Sequence, residues 1–132
     1  MVKEKEFAIS PTTVLMMSRD TVCINFLKNH LDAGEFEILE VSSDSDVIQK
    51  NNEEYPDILL LDFEAVQMPP DILVSVLHKI NPHLQVILVA GVSSLEDAKA
   101  IEQGVFYYTS KPIGTEVIEA LKAGRKISVY GT

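Results

Sequence analysis

Apolar residues in this chain of 132 residues fall either into short continuous runs or into runs at helical spacing, and the two kinds take turns. Thr13 to Met17, Ile58 to Leu61 and Gln85 to Ala90 are almost unbroken, the pattern of strands covered on both faces inside a parallel sheet. Phe36 to Val41 alternates instead, as an edge strand does. Val105-Phe106-Tyr107-Tyr108-Thr109 is the last run, rich in aromatic residues. Between these lie helical patterns. Val22, Phe26, Leu27 and Leu31 recur before Gly34, and Ser42-Ser43-Asp44 caps a short helix through Asn51-Asn52 with Val47 and Ile48 inward. Pro70 opens a helix carrying Ile72, Leu73, Val76, Leu77 and Ile80, which Asn81-Pro82 ends. Ser94 caps a helix through Gln103 that stops at Gly104, and Thr115 to Arg125 forms the last, with Val117, Ile118 and Leu121 inward. Five strands alternating with five helices predict an α/β fold: an open sheet with right-handed crossovers and helices on its faces.

Residues 1–11 form a polar N-terminal arm, residues 12–125 the domain and residues 126–132 a tail. Within the tail, Ile127-Ser128-Val129-Tyr130 is either docked or the start of a connection. In such sheets function sits beyond the carboxyl ends of the strands, where strand order reverses. The stretch Tyr55-Pro56-Asp57-Ile58-Leu59-Leu60-Leu61-Asp62 places a single carboxylate at such an end.

A net charge of −9 and a pI near 4.7 argue against nucleic acid and anionic membrane as partners, since both demand a basic surface. Cys23 is the one cysteine, so no internal disulfide forms, and His30, His78 and His83 are scattered surface residues without zinc spacing. Cys23 is expected to be a small buried hydrophobe. The charged start Met1-Val2-Lys3-Glu4-Lys5-Glu6 has no apolar core of a signal peptide, and the longest apolar runs fall short of a membrane span. Cytoplasm is the expected compartment.

Two segments at this spacing carry a resemblance. Pro56-Asp57-Ile58-Leu59-Leu60-Leu61-Asp62 resembles the phosphoacceptor strand of the receiver domain of two-component response regulators, and Gly104 through Ser110-Lys111-Pro112 resembles its fifth strand, the likeness covering about residues 12–125. The resemblance implies a flavodoxin-like, three-layer αβα sheet of five parallel strands in order 2-1-3-4-5, and a role in phosphorelay signalling rather than an enzyme. It puts Asp62 at the phosphoacceptor position and Lys111 against a phosphoryl oxygen, and it implies a cis Lys111-Pro112 bond. It makes Tyr108 the aromatic that changes rotamer on switching, although an aromatic there is more often ordinary packing at the sheet edge.

Departures from that pattern suggest a degenerate member, a pseudo-receiver. Receivers carry a pair of acids after the first strand; here Ser18 and Arg19 stand there. Receivers carry threonine or serine at the end of the fourth strand; here Val89 has no hydroxyl to donate. The proline and glycine of the loop after the third strand are replaced by Val66 and Pro70.

An aspartate attacking a phosphoryl donor needs a divalent metal to neutralise charge, and magnesium prefers carboxylate oxygens. Ser18 would bind metal through water at most, whereas the guanidinium of Arg19 repels it and is free to pair with Asp62. Asp20 is the next acid, but it serves only if the register slips by one, and capping the first helix is its favoured role. Glu64 sits where receivers offer a backbone carbonyl to the metal; its side chain could add to the site, but a loop glutamate is more often solvated. Lys111 is expected to bridge to Asp62 and keep that acid ionised.

The expected function is a protein-interaction module independent of phosphorylation, without metal or cofactor. Its partner face is built from the fourth helix, fifth strand and fifth helix with Tyr107 and Tyr108, a face that also leaves a homodimer open. The alternative is a working phosphoreceiver in which Asp20 and Glu64 hold magnesium beside Asp62. A third is a small-molecule sensor or enzyme with a ligand near Ser18, Asp62 and Lys111, although no glycine-rich phosphate loop follows the first strand.

Overall fold

Leu15 and Met17 of the first strand point to one side of the sheet and Val14 and Met16 to the other, and both pairs are almost completely buried. That two-sided burial is why the strand shows no polar alternation. The computed structural model describes residues 11–130. In it β1 (Thr12–Met17), β2 (Phe36–Val41), β3 (Ile58–Asp62), β4 (Gln85–Ala90) and β5 (Val105–Ser110) form one parallel sheet in the order β2-β1-β3-β4-β5. The helices are α1 (Thr21–His30), α2 (Asp44–Glu54), α3 (Pro70–Ile80), α4 (Leu95–Lys99) and α5 (Thr115–Tyr130), with single 3-10 turns at Phe63–Ala65 and Val92–Ser94. Val47 of α2, Leu73, Val74 and Leu77 of α3 and Ala98 of α4 pack on one face, against Leu59, Leu61, Val86 and Leu88. Cys23 and Leu27 of α1 and Val117, Ile118 and Leu121 of α5 pack on the other, against Ile58, Leu60, Ile87 and Val89. Each fully buried aliphatic side chain contributes roughly 1.5–3 kcal/mol, so this double core stabilises the frame on which the loops at the sheet's carboxyl end are mounted. The expected α/β architecture and strand order are both present.

Several details differ from the sequence reading. Val22 is 71% exposed, while Cys23 and Leu27 face the core: Asp20 caps α1 and turns its apolar face by one residue. In α3, Ile72 is 49% exposed and Val74 takes the inward place. The fourth helix stops at Lys99 rather than Gln103. Its end tightens as Ala100 N–H bonds to both Glu96 and Asp97 carbonyls, and the Ile101 carbonyl is taken by the Tyr108 hydroxyl. The last helix continues past Arg125 to Tyr130, so residues 126–130, expected in a tail, are helical. The predicted arm over residues 1–10 lies outside the described residues.

The ends of the sheet opposite Asp62 are tied by buried amides. Asn51 Nδ2 donates to the Leu77 carbonyl at 3.1 Å, and Asn81 Nδ2 donates to Asn51 Oδ1 at 3.2 Å and to the Pro56 carbonyl at 2.9 Å. Asp57 Oδ2 accepts the Thr13 N–H at 2.9 Å. His78, expected at the surface, is half-buried; its Nε2 meets the Leu84 carbonyl at 2.8 Å and its ring lies against Gly104. Gly104 has φ +82°, a conformation that disfavours any side chain.

A Cβ on Gly104 would sit 2.3 Å from His78 Cε1. Gly104→Ala is therefore expected to cost about 1–3 kcal/mol in urea denaturation, from the left-handed backbone and the clash together. The double variant with His78→Ala should cost less than the sum of the singles, because only the clash is relieved. Strict additivity would show that the ring contact is irrelevant.

Candidate functional site

Asp62 closes β3, flanked by β1 and β4, and only 2% of it is exposed. A carboxylate there must be compensated by donors. Its Oδ2 accepts the Ser18 hydroxyl at 2.8 Å and the Lys111 ammonium at 2.8 Å, and its Oδ1 accepts the Glu64 N–H at 3.1 Å. Ser18 is itself buried and accepts the Asp20 N–H at 3.1 Å. Lys111 follows β5 and is held there by its own N–H, which donates to the Ala90 carbonyl at 2.9 Å, with the Lys111-Pro112 bond cis.

Lys111 Nζ serves more than Asp62. It lies 3.3 Å from Glu64 Oε1 and 3.5 Å from Asp20 Oδ2, so three carboxylates share one ammonium. Burial by itself would lower the affinity of this lysine for its proton, but the hydrogen bond and charge of Asp62, then those of Glu64, hold it above the ordinary lysine value. Asp20 meanwhile caps α1, its Oδ1 accepting Val22 N–H at 3.0 Å and Cys23 N–H at 3.4 Å. Capping and the contact with Lys111 therefore coexist in one side chain.

Glu64 is exposed, as its loop position suggested, but its carboxylate is also engaged by the chain. Both its carboxylate oxygens accept the Gly91 N–H, at 3.0 and 3.1 Å. Burial pushes this carboxyl up, but hydrogen bonds from the Ser94 hydroxyl, the Gly91 N–H and Lys111 outweigh it and leave the group below the usual glutamate value. Arg19 departs from expectation too. Its guanidinium turns away from Asp62 to the carbonyls of Ser42, at 3.3 Å, and Ala65, at 3.4 Å. Those groups belong to the loops after β2 and β3, so Arg19 fastens loops together. Asp44 assists by accepting the Gln67 and Met68 N–H groups at 3.2 and 2.7 Å.

Val89 pairs with Asp62 across the sheet and is completely buried in the core on the α1/α5 face. The next residue in that row is Thr109, whose hydroxyl donates to Glu116 Oε2 at 3.1 Å and so joins β5 to α5 rather than meeting Asp62. Tyr108 is half-buried, and its hydroxyl donates to the Ile101 carbonyl. Tyr107 and Phe106 pack on the opposite face of the sheet from Tyr108. The three aromatics therefore do not make one exposed patch, because an irregularity in the β4–β5 register leaves Phe106 unpaired. Burial, with Asp62 and Asp20 nearby, pushes the Cys23 thiol up to about 11, which keeps it inert near neutral pH. His30 and His83 are exposed and far from Asp62 in sequence.

These donors do not fit magnesium. A hydroxyl and an outward guanidinium stand where two acids are needed, and Asp20, Asp62 and Glu64 converge on an ammonium. Among the described residues no group of three or more acids, histidines or cysteines is arranged for a metal ion. A groove of about 1110 Å³ between α3 and the start of β5, lined by Ile72, His78, Leu84 and Gly104 among others, opens at the other end of the sheet from Asp62. No described helix is long and apolar enough to cross a membrane.

No protein-family model matches the chain. It is 24% identical over 109 residues to the transcriptional regulatory protein GlrR of Escherichia coli K12, a match that covers 82% of this chain but 24% of that protein. The chain thus spans about a quarter of the length of the curated relatives it matches. Among solved structures it is similar to a response regulator receiver domain protein (CheY-like) from Methanospirillum hungatei JF-1, with a TM-score of 0.80, 22% identity and coverage of 93% of this chain and 100% of that one. The signal receiver domain of a putative Luxo repressor protein from Vibrio parahaemolyticus gives a TM-score of 0.78 at 18% identity, covering 92% and 95%. These likenesses show that the chain has the fold of a response-regulator receiver domain.

Lys111→Met removes the cation shared by three acids. The expected loss is about 1–3 kcal/mol near neutral pH, toward the lower end of buried-pair values because the lysine is partly exposed. The pH dependence should flatten on the acid side. In the wild type, Glu64, lowered on folding, contributes stability above about pH 4.3 that is lost as pH falls through its folded value, and Lys111, raised on folding, contributes stability below about pH 10.4 that is lost as pH rises through its folded value. In the variant the part of the Glu64 shift that Lys111 supplies is gone, so stability should fall less on acidification below about pH 4.3 than in the wild type. Denaturant midpoints from about pH 3 to 8 test this; parallel profiles would overturn the shared-cation account.

Proposed function

We propose that this chain is a receiver-fold signalling module of the cytoplasm that binds protein partners without an aspartyl phosphate. One observation carries it: the acceptor-position carboxylate of Asp62 is neutralised from within by Lys111 and Ser18, in a cluster where Lys111 also holds Asp20 and Glu64. A phosphoryl donor arriving there meets three carboxylates and no resident acid pair for a divalent ion, so charge repulsion opposes the attack that a metal would otherwise assist. β4 ends at Ala90, one residue past Val89, and neither carries a hydroxyl, which supports the same function, since a phosphoryl group would have no side-chain donor at that strand end to pull the following loop toward it.

The partner surface assigned to this module is the α4-β5-α5 face. Tyr107 and Tyr108 are its half-buried supports rather than its contacts. Among the described side chains of α4 and α5, the exposed acids Glu96, Asp97, Glu116 and Glu119 outnumber Lys99 and Lys122, which suits a protein partner with a basic patch. Signalling by protein contact needs no cofactor and no turnover, and an acidic module of this kind has no use for nucleic acid.

Incubation with acetyl phosphate and magnesium, followed by intact-mass spectrometry, tests this directly. Wild type and Asp62→Asn are expected to keep the same mass under conditions that fully label an ordinary receiver. A phosphoryl-sized gain confined to wild type would overturn the proposal and establish a phosphoreceiver whose acids are Asp20, Asp62 and Glu64.

A further inference from the structure

Groups that stabilise negative charge converge from two strand ends onto a residue of a third. Lys111 after β5 lies 3.3 Å from Glu64 Oε1, and Gly91 after β4 donates its N–H to both Glu64 oxygens. Glu64 reaches them from the 3-10 turn after β3. With 39% of its side chain exposed, it has water available and still turns inward, alongside the like charges of Asp62 and Asp20. Main-chain N–H and ammonium donors aimed at one point make an oxyanion site, and here the oxyanion belongs to the chain.

We propose that Gly91 and Lys111 form a binding site for a small carboxylate-like monoanion, and that Glu64 occupies it as a tethered internal ligand. Tethering gives the carboxylate an effective concentration on the order of millimolar or above, which external anions at lower concentration do not displace. Its consequence is mechanical. Residues 91–94 lead into α4, so the position of that turn is set by the chain's own acid and not by a group added to Asp62. The inference goes beyond the proposed function and is read separately, since it concerns anion binding and not phosphorylation or partner binding.

Chemical rescue tests it. Glu64→Ala empties the site without touching the core, and sodium formate is titrated against matched sodium chloride while the Gly91 amide is followed by NMR. A saturable formate shift is expected in Glu64→Ala and not in wild type. It should weaken about tenfold or more when Lys111→Met or Gly91→Pro is added. Gly91→Pro deletes the N–H at a residue whose φ of −65° already suits the ring. In that double variant, with no Gly91 amide to follow, the neighbouring amides of residues 92–94 report. Absence of a saturable shift in folded Glu64→Ala would overturn the proposal, as would an equal shift in wild type or one indifferent to both donor deletions.

Discussion

A carboxylate buried at the tip of the central strand is the constraint from which this end of the molecule follows. β3 is covered on both faces, so Asp62 is withdrawn from water by the same packing that makes the core. An isolated charge in such a place would cost several kcal/mol. The compensation comes from three segments: the Ser18 hydroxyl after β1, the Glu64 N–H after β3 and the Lys111 ammonium after β5, which the acids Glu64 and Asp20 share. Each sits just beyond a strand terminus, where a parallel open sheet gathers its loops.

Charge is the currency of that gathering, and the cluster carries an excess of negative charge around one cation. A second layer relieves it. Asp20 gives one oxygen to the first N–H groups of α1, and Glu64 gives both of its oxygens to Gly91 N–H. Arg19 is engaged by carbonyls of neighbouring loops and makes no direct pair with these acids. Thus the loops after β1, β2, β3 and β4 are cross-linked by polar side chains.

Similarity in fold to receiver domains is consistent with this frame, but the frame admits different chemistry at its tip. At that tip the Ser18 hydroxyl meets Asp62, Arg19 turns to loop carbonyls, Val89 is buried in the core, and Glu64 accepts the Gly91 N–H beside the Lys111 ammonium. The Thr109 hydroxyl is one strand away from Val89 and turned to Glu116, so it does not restore what Val89 lacks.

The sequence by itself determined the alternation of strands and helices and the place of Asp62 at a strand end, because two-sided burial and helical periodicity write themselves into the order of apolar residues. Lys111 and the cap at Asp20 were legible as well, from residue type and from position relative to predicted elements. It did not reveal the inward turn of Glu64, the outward turn of Arg19, the half-burial of His78 against Gly104 or the early end of α4. Each of those depends on what a side chain meets from a segment distant in the chain: Gly91 for Glu64, Ala65 for Arg19, Leu84 for His78, Tyr108 for the carbonyl of Ile101. Periodicity records which way a residue faces on its own element. Only the tertiary structure decides which donor or acceptor waits there.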